Sequence, residues 1–324
     1  MDFRELEKIM KIYSKEKNGN LRKITLLGKT FTYTKTPKMP PHINREVLDK
    51  KISAFDGIGI NTEKREQKLI VSLASFPARM DEIHYTLYSL LNQKLRPDEV
   101  ILWLCANEFS NKETGIPQKV LDLQKNGLTI KWSEVYLRSY TKLVPSLKEF
   151  PDAVIVTADD DIYYPSDWLK KLYQQHLRHP KDIIAHRCHR VTLDKYGNIA
   201  SYSKWPHNIT RLGASFKNFA TGVGGVLYPP QALYKEVGNI ELFKQLAPYA
   251  DDIWFWAMEV LANTKIRTFY RRIRKLILVN PEREMRNTDG ATLAKINIAQ
   301  DGNNKQMKSV LEHYPQILEK LKNE

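Results

Sequence analysis

The sequence has only two cysteines, Cys105 and Cys188, among its 324 residues. Two thiols without a metal-ligand spacing exclude a disulfide framework and favour a reducing compartment. No apolar run approaches the roughly 20 residues that span a bilayer. The first residues lack a basic segment followed by an apolar core, so no secretion signal is expected. These absences, with the lack of repeats and low-complexity tracts, predict a cytoplasmic globular protein.

The composition is that of an ordinary globular chain, with 42% hydrophobic and 27% charged residues. Its length suits one large α/β domain with additions, or two small domains. The charge is less ordinary, because 51 basic and 37 acidic residues give a net charge of +14. Such a balance indicates an anionic partner: nucleic acid, a membrane surface or a phosphorylated substrate.

The basic residues are unevenly spread. Lysines dominate the first 50 residues, and a second cluster comprises Arg267, Arg271, Arg272, Arg274 and Lys275. Neither region matches a nucleic-acid-binding module, so we expect no nucleic-acid partner. An anionic membrane surface at the inner face of the cytoplasmic membrane is the candidate partner, and an ordinary solvated surface is the alternative.

The front of the chain, residues 1–66, is expected to be a small appendage. Residues 2–17 place apolar side chains on one face of a predicted helix. Arg22 to Lys35 alternate in polarity around a Gly-Lys pair, which predicts a hairpin. Three prolines between Thr36 and Pro41 indicate a linker.

From Lys68 the pattern alternates between strands and helices, which predicts an α/β fold with a mostly parallel sheet flanked by helices. This domain is expected to cover residues 67–302, followed by a carboxyl-terminal helix within 303–324 that Pro315 interrupts. The predicted strands are Leu69–Ala74, Glu99–Cys105, Leu128–Ser133, Ala153–Ala158, Ile183–Arg187 and Lys275–Val279. The predicted helices are Met80–Asn92, Pro117–Asn126, Lys142–Glu149, Trp168–Leu177 and Ile253–Ala262.

Three consecutive acids, Asp159, Asp160 and Asp161, follow the β-branched strand Ala153–Ala158. Carboxylates crowded at a strand end repel one another unless a cation lies among them. Oxygen ligands of this kind suit Mg²⁺ or Mn²⁺, which usually also hold substrate phosphates. Ligands bind at the carboxyl ends of strands in open α/β sheets. The alternative is a solvated acidic turn.

Four segments occur in the same order as in a known family. They are Leu69–Arg79, the Asp-Asp-Asp turn, Gly222–Pro230 and Ala250–Trp256. Together they resemble the bacterial GT-A-type (Rossmann-like) glycosyltransferases of capsule, lipopolysaccharide and lipooligosaccharide synthesis. The resemblance covers about residues 68–315. It implies a nucleotide-sugar-binding sheet, a divalent cation and transfer of a sugar to a hydroxyl acceptor.

The resemblance also implies roles for individual residues. In the family's Asp-x-Asp pattern the last acid binds the metal, which corresponds to Asp161, with Asp159 and Asp160 assisting through metal, ribose or water contacts. The donor would also contact Ser75, Phe76 and Arg79 after the first strand, and Lys142 would meet its diphosphate. For Arg79 a surface position at a helix start stays open, and for Lys142 a solvated position.

Asp251 and Asp252 open an apolar helix and resemble the acid pair of inverting family members. Asp252 is the predicted general base that takes the acceptor hydroxyl proton. Asp251 would bind acceptor hydroxyls, and a plain helix cap is the alternative for the pair. Gly224, Gly225 and Trp254 are assigned to the acceptor side, and a tight turn is the alternative for the glycines.

The sequence therefore predicts an inverting, Mn²⁺- or Mg²⁺-dependent glycosyltransferase. The predicted donor is a UDP-sugar, and the predicted acceptor is a lipid-linked or oligosaccharide hydroxyl. A basic nucleic-acid-binding or membrane-surface protein without catalysis is the alternative. A haloacid-dehalogenase-type phosphatase requires Thr or Val two residues past its second Asp, where this chain has Tyr163.

Overall fold

The computed structural model describes residues 13–18, 21–26, 29–34, 39–109, 112–270, 272, 273, 275–286, 297 and 301–324. The chain divides into two compact units, Met1–Pro40 and Pro41–Glu324. The predicted division at residues 66 and 302 stays a prediction.

The first unit contains an antiparallel sheet of three strands, β1 (Tyr13–Asn18), β2 (Leu21–Leu26) and β3 (Lys29–Thr34). Strands β2 and β3 confirm the predicted hairpin, with Ile24 opposite Phe31. The helix predicted for residues 2–17 is wrong over residues 13–17, because these residues form a ladder with β2 in which Tyr13 lies opposite Leu26. Residues 2–12 of that prediction lie outside the described residues.

The second unit is built on a mixed sheet of eight strands, and its fold confirms the predicted α/β class with a mostly parallel sheet. The strands of this unit are β4 (Leu69–Ala74), β5 (Glu99–Cys105), β6 (Leu128–Ser133), β7 (Val154–Thr157), β8 (Ile183–Ala185), β9 (Cys188–Arg190), β10 (Gly213–Ser215), β11 (Asn218–Ala220), β12 (Val226–Tyr228) and β13 (Ile266–Thr268). The sheet has the order β10-β13-β8-β12-β7-β4-β5-β6, and β9 pairs separately with β11.

Strands β7, β4, β5 and β6 are parallel neighbours, so their carboxyl ends meet at one edge of the sheet. Strand β12 runs antiparallel between β7 and β8. Alternate residues of a strand point to opposite faces, and Ile70 and Val71 of β4 accordingly belong to different hydrophobic cores.

Helices cover both faces of the sheet. They are α1 (Arg45–Ser53), α2 (Ile83–Leu91), α3 (Gln118–Leu121), α4 (Val144–Glu149), α5 (Trp168–Arg178), α6 (Ile240–Leu246), α7 (Asp251–Leu261), α8 (Pro281–Arg286), α9 (Gly302–His313) and α10 (Gln316–Lys322). Helix α7 packs in one core with α9 and α10, whereas α2 and α5 pack in the other. Within the described part of the chain, no helix has the length and apolar character to cross a bilayer.

One expectation for the carboxyl-terminal half is wrong. Lys275–Val279 does not form a strand, because Leu278 makes only isolated bridges, to His42 and Ile162. The sheet instead uses β13, a strand of three residues that the sequence pattern did not reveal.

The basic side chains of the second cluster are not all exposed. Arg267 Nε lies 2.6 Å from an Asp182 carboxylate oxygen. Arg272 is only 4% exposed and donates hydrogen bonds to backbone carbonyl groups. Arg271 and Arg274 lie outside the described residues. Of this cluster, Lys275 is the described residue that is plainly exposed.

Candidate active site

A cavity of about 500 Å³ opens at the carboxyl ends of the parallel strands. It brings together nine predicted site residues from four separate segments: Ser75, Phe76, Arg79, Lys142, Asp159, Asp160, Asp161, Asp251 and Asp252. Because β4 and β7 are adjacent and parallel, the loop after β4 faces the acidic turn after β7.

The loop after β4 is bonded directly to the acidic turn. Ser75 Oγ donates a hydrogen bond of 2.5 Å to Asp160 Oδ2. Arg79 lies on a short 3₁₀ turn, with Nε 3.5 Å from Asp160 Oδ1 and Nη1 3.4 Å from Asp161 Oδ2. The guanidinium also lies 5.9 Å from the centre of the Phe76 ring. Arg79 therefore belongs to the cavity wall, and the alternative of an exposed helix-start residue is wrong.

Lys142 ends a 3₁₀ turn just before α4, and its ammonium is buried between two acidic segments. Nζ lies 2.8 Å from Asp159 Oδ1 and 3.1 Å from Asp251 Oδ2. Burial alone disfavours the charged ammonium, but Asp159, Asp251 and Asp252 together hold the pKa of Lys142 well above its ordinary value. The alternative of a solvated lysine is therefore wrong.

Asp252 lies in the first turn of α7, and its carboxylate Oδ1 accepts a 3.0 Å hydrogen bond from the Gly222 backbone N–H. Burial and then repulsion from Asp251 raise the pKa of Asp252 to about 7, against the opposing effect of Lys142. A carboxyl with a pKa near neutrality can hold or release a proton at working pH, as a general base must. Both acids lie in the first turn of α7, but no side-chain hydrogen bond caps the helix, and the carboxylates instead contact Gly222 and Lys142.

Gly222 provides the space for this arrangement. A Cβ atom at this position would lie 2.7 Å from Lys142 Nζ and 3.3 Å from Asp252 Oδ1. The missing side chain thus lets the ammonium and the carboxylate approach the same backbone segment.

The three other predicted acceptor residues do not line the cavity. Trp254 is fully buried, and its indole N–H donates to the Val237 carbonyl oxygen at 3.0 Å, so its position does not support contact with an acceptor. Gly225 has φ of +91° and packs on Trp168, which agrees with the tight-turn alternative. Gly224 packs on Arg187, which does line the cavity.

Sequence reasoning missed several lining residues, among them Glu108, Tyr136, Arg138, Arg187, Tyr202 and Thr221. Glu108 and Arg138 follow β5 and β6, so the strand-end rule that located the acidic turn could have located them. Arg187 and Tyr202 belong to the irregular stretch after β8, where no periodic pattern fixes their position.

The oxygen donors of the cavity determine whether it suits a divalent cation. Within the described residues, no three His, Cys, Asp or Glu side chains gather in a way that could hold a metal ion. Three carboxylates of the acidic turn nevertheless line the same cavity. Mg²⁺ commonly uses one or two carboxylates with substrate phosphates and water rather than a cage of protein ligands. The carboxylates of the acidic turn suit a site of that open kind.

No protein-family model matches the sequence, and no curated protein matches it either. Solved structures that are similar to this chain include the following three. A CMP:2-keto-3-deoxy-manno-octonic acid synthetase complexed with CTP is 12% identical over 63% of this chain and 89% of its own, with a TM-score of 0.38. S. aureus TarS 1-349 is 15% identical over 79% and 71%, with a TM-score of 0.46. Mannosyltransferase PcManGT from Pyrobaculum calidifontis, in complex with GDP-Man and Mn²⁺, is 12% identical over 74% and 64%, with a TM-score of 0.40. At these values the similarity assigns no activity to this chain.

Proposed function

We propose that the chain is a metal-dependent glycosyltransferase that moves a sugar from a UDP-sugar to a hydroxyl of a glycan or lipid-linked acceptor in bacterial surface-glycan synthesis. One observation carries this proposal. The loop after β4, the acidic turn, Lys142 and the Asp251–Asp252 pair, which are far apart in the sequence, line one cavity at the carboxyl ends of parallel strands.

The donor would lie against the β4 and β7 ends of this cavity. Phe76 and Arg79 offer an aromatic ring and a guanidinium to the base and phosphates. Asp161 and Asp159 would hold the cation. When bound there, Mn²⁺ or Mg²⁺ would neutralise charge that develops on the departing diphosphate.

Asp252 would act as general base. The acceptor hydroxyl oxygen forms a bond to the anomeric carbon while the bond from that carbon to the diphosphate oxygen breaks, and the hydroxyl proton passes to the Asp252 carboxylate. Attack from the side opposite the leaving group inverts the anomeric configuration. The pKa of about 7 suits this role, since a base is most effective when its pKa lies near the operating pH.

Lys142 would hold the donor side of the site in position relative to the general base. Its ammonium contacts Asp159, on the donor side, and Asp251, next to the base. Its charge would also favour the donor diphosphate.

A thermal-shift panel of nucleotides and nucleotide sugars, with and without Mn²⁺, tests the proposal. A ligand that binds only the folded state raises the melting temperature. We expect UDP and UDP-sugars to do so in the presence of Mn²⁺, with a smaller effect after chelation. The Asp161→Asn variant provides the matched control and should lose the Mn²⁺-dependent part. A flat response to every nucleotide would contradict the proposal.

A further inference from the structure

An arginine that the proposed reaction does not use lies on the cavity wall close to Asp252. Arg187 connects β8 to β9, and its Nη1 donates a 2.7 Å hydrogen bond to Thr221 Oγ1. The Thr221 backbone N–H donates back to the Arg187 carbonyl oxygen at 3.0 Å. Thr221 directly precedes Gly222, which bonds to Asp252. One short segment therefore fixes both the guanidinium and the candidate base.

Gly224 allows the backbone of Arg187 to lie close to the turn after β11. A Cβ atom on Gly224 would lie 2.7 Å from Arg187 Cβ and 3.1 Å from its backbone nitrogen. The two backbones can approach this closely only because residue 224 has no side chain. Close packing on Gly224 thus determines where Arg187 lies relative to the turn after β11.

The four basic side chains that line the cavity differ in their partners. Arg79 and Lys142 form ion pairs with acids of the cavity. Arg138 lies over the Tyr249 ring, 4.7 Å from its centre. Among the described residues, no carboxylate oxygen lies within ion-pair distance of Arg187, whose guanidinium hydrogen bond goes to a neutral hydroxyl. A guanidinium in such a setting suits an anionic group that arrives with a ligand.

An aromatic ring completes this part of the wall. Tyr202 lines the cavity, and its ring packs against Trp205, with centres 5.0 Å apart, and against His207 at 5.1 Å. These contacts hold the ring in place at the cavity wall, and the Arg187 charge is close enough to act on the Tyr202 hydroxyl, where it opposes the rise of the Tyr202 pKa that burial causes. A pyranose ring with an acidic substituent presents the complementary pair of surfaces.

We propose that Arg187 and Tyr202 form a subsite for an acceptor sugar that bears an acidic group, a carboxylate or a phosphate. This inference rests on the proposed function and names its acceptor class. A sugar held by its acidic group at Arg187 presents a nearby hydroxyl to Asp252, because Thr221 and Gly222 join the two residues. The donor diphosphate is assigned instead to the acidic turn, to which Arg187 makes no contact within hydrogen-bond or ion-pair distance.

The test compares three probes on the full chain with UDP and Mn²⁺ present: methyl β-glucoside, methyl β-glucuronide and methyl β-glucoside 6-phosphate. Saturation-transfer NMR titrations give their dissociation constants. We expect at least one acidic probe to bind about tenfold or more tightly than the neutral probe, as charged hydrogen bonds allow. Arg187→Gln should abolish that preference while UDP affinity stays unchanged.

Two further variants make the result specific. Lys204→Gln removes an equal charge from an exposed residue two positions from Tyr202 and should keep the preference. Arg187→Lys should retain part of it, because the charge remains but the fork of N–H donors is lost. Melting temperatures of all variants show whether each is folded.

Equal binding of the three probes, or no binding of any, would overturn the subsite. A fall in UDP affinity in Arg187→Gln would also overturn it, since the anion at Arg187 would then be the donor phosphate. If the wild-type protein binds no UDP at all, the proposed function itself is wrong.

Discussion

The ammonium of Lys142 lies 2.8 Å from the Asp159 carboxylate, and this ion pair joins two chain segments that enter the cavity from different elements. The same nitrogen lies 3.1 Å from Asp251, at the start of α7. One buried cation therefore offsets charge from both acidic groups. Its removal should affect the protonation of Asp252 as well as the fold.

Replacement of Lys142 by Met should move the pH dependence of turnover upward. Lys142 lowers the pKa of Asp252, so its loss lets that pKa rise further above about 7. A nearby opposite charge commonly shifts a carboxyl pKa by about 1 to 3 units. Turnover of the wild type should fall about tenfold per pH unit below 7, and this fall should begin at higher pH in the variant.

Lys148→Met provides the matched control, because this lysine is exposed on α4 and does not line the cavity. Its pH profile should coincide with that of the wild type. A folded Lys142→Met variant with an unchanged midpoint would show that Lys142 does not act on the base.

Asp161→Asn should abolish Mn²⁺-dependent activity without unfolding the protein, and Asp159→Asn should have a smaller effect. An amide cannot replace an anionic oxygen for a hard cation. Activity measured over a range of limiting Mn²⁺ concentrations checks this expectation. Wild-type activity of Asp161→Asn at limiting Mn²⁺ would refute the assignment.

Asp252 should also make the stability of the protein depend on pH. Its folded-state pKa is about 7, whereas that of an unfolded aspartate is about 3.9. Between these values the unfolded state releases a proton that the folded state keeps, so rising pH destabilises the fold until about 7. Asp252→Asn lacks this contribution.

The melting temperature of Asp252→Asn relative to the wild type should therefore increase between about pH 4 and 7 and then level off. Asp56→Asn, which removes an exposed carboxylate, should show no such increase. A constant difference between Asp252→Asn and the wild type across this range would argue against the raised pKa.

The predicted membrane association stays a prediction, although Arg267 and Arg272 of the second cluster are engaged within the protein. In the first unit Lys29, Leu26, Phe31 and Tyr33 are exposed. Deletion of residues 1–40 should weaken sedimentation with acidic vesicles at low salt more than it weakens UDP binding. Equal sedimentation of the intact protein with neutral vesicles would exclude an electrostatic contribution.

The first half of the sheet could be predicted because β4 and β5 carry apolar runs and β6 alternates apolar with polar residues. The bounds of β4, β5 and β6 agree with the sequence pattern. Strands β8 to β13 contain three residues each, which is too short for a period of two to be distinguished. Their positions depend on pairing, as when β12 inserts antiparallel between β7 and β8.

The candidate site shows the same limit. Strand ends located the acidic turn and the loop after β4, so their meeting could be predicted. Which residues contact one another within the cavity could not be predicted. That Arg79 contacts Asp160 and Asp161, and that Gly222 contacts Asp252, depends on loop conformations that no local pattern encodes.

The most direct test of the account is turnover of the donor by Asp252→Asn, with UDP affinity measured in parallel by calorimetry. With saturating acceptor, release of UDP from a UDP-sugar in the presence of Mn²⁺ should fall by about 10² to 10⁴, the usual contribution of a general base. UDP affinity should stay near that of the wild type, because the proposed diphosphate contacts lie at the acidic turn. Asp251→Asn, the matched control, should show a milder loss or a defect in acceptor affinity. Asp252→Asn that keeps more than about a tenth of wild-type turnover would contradict the account, since that loss is below the smallest effect expected of a general base.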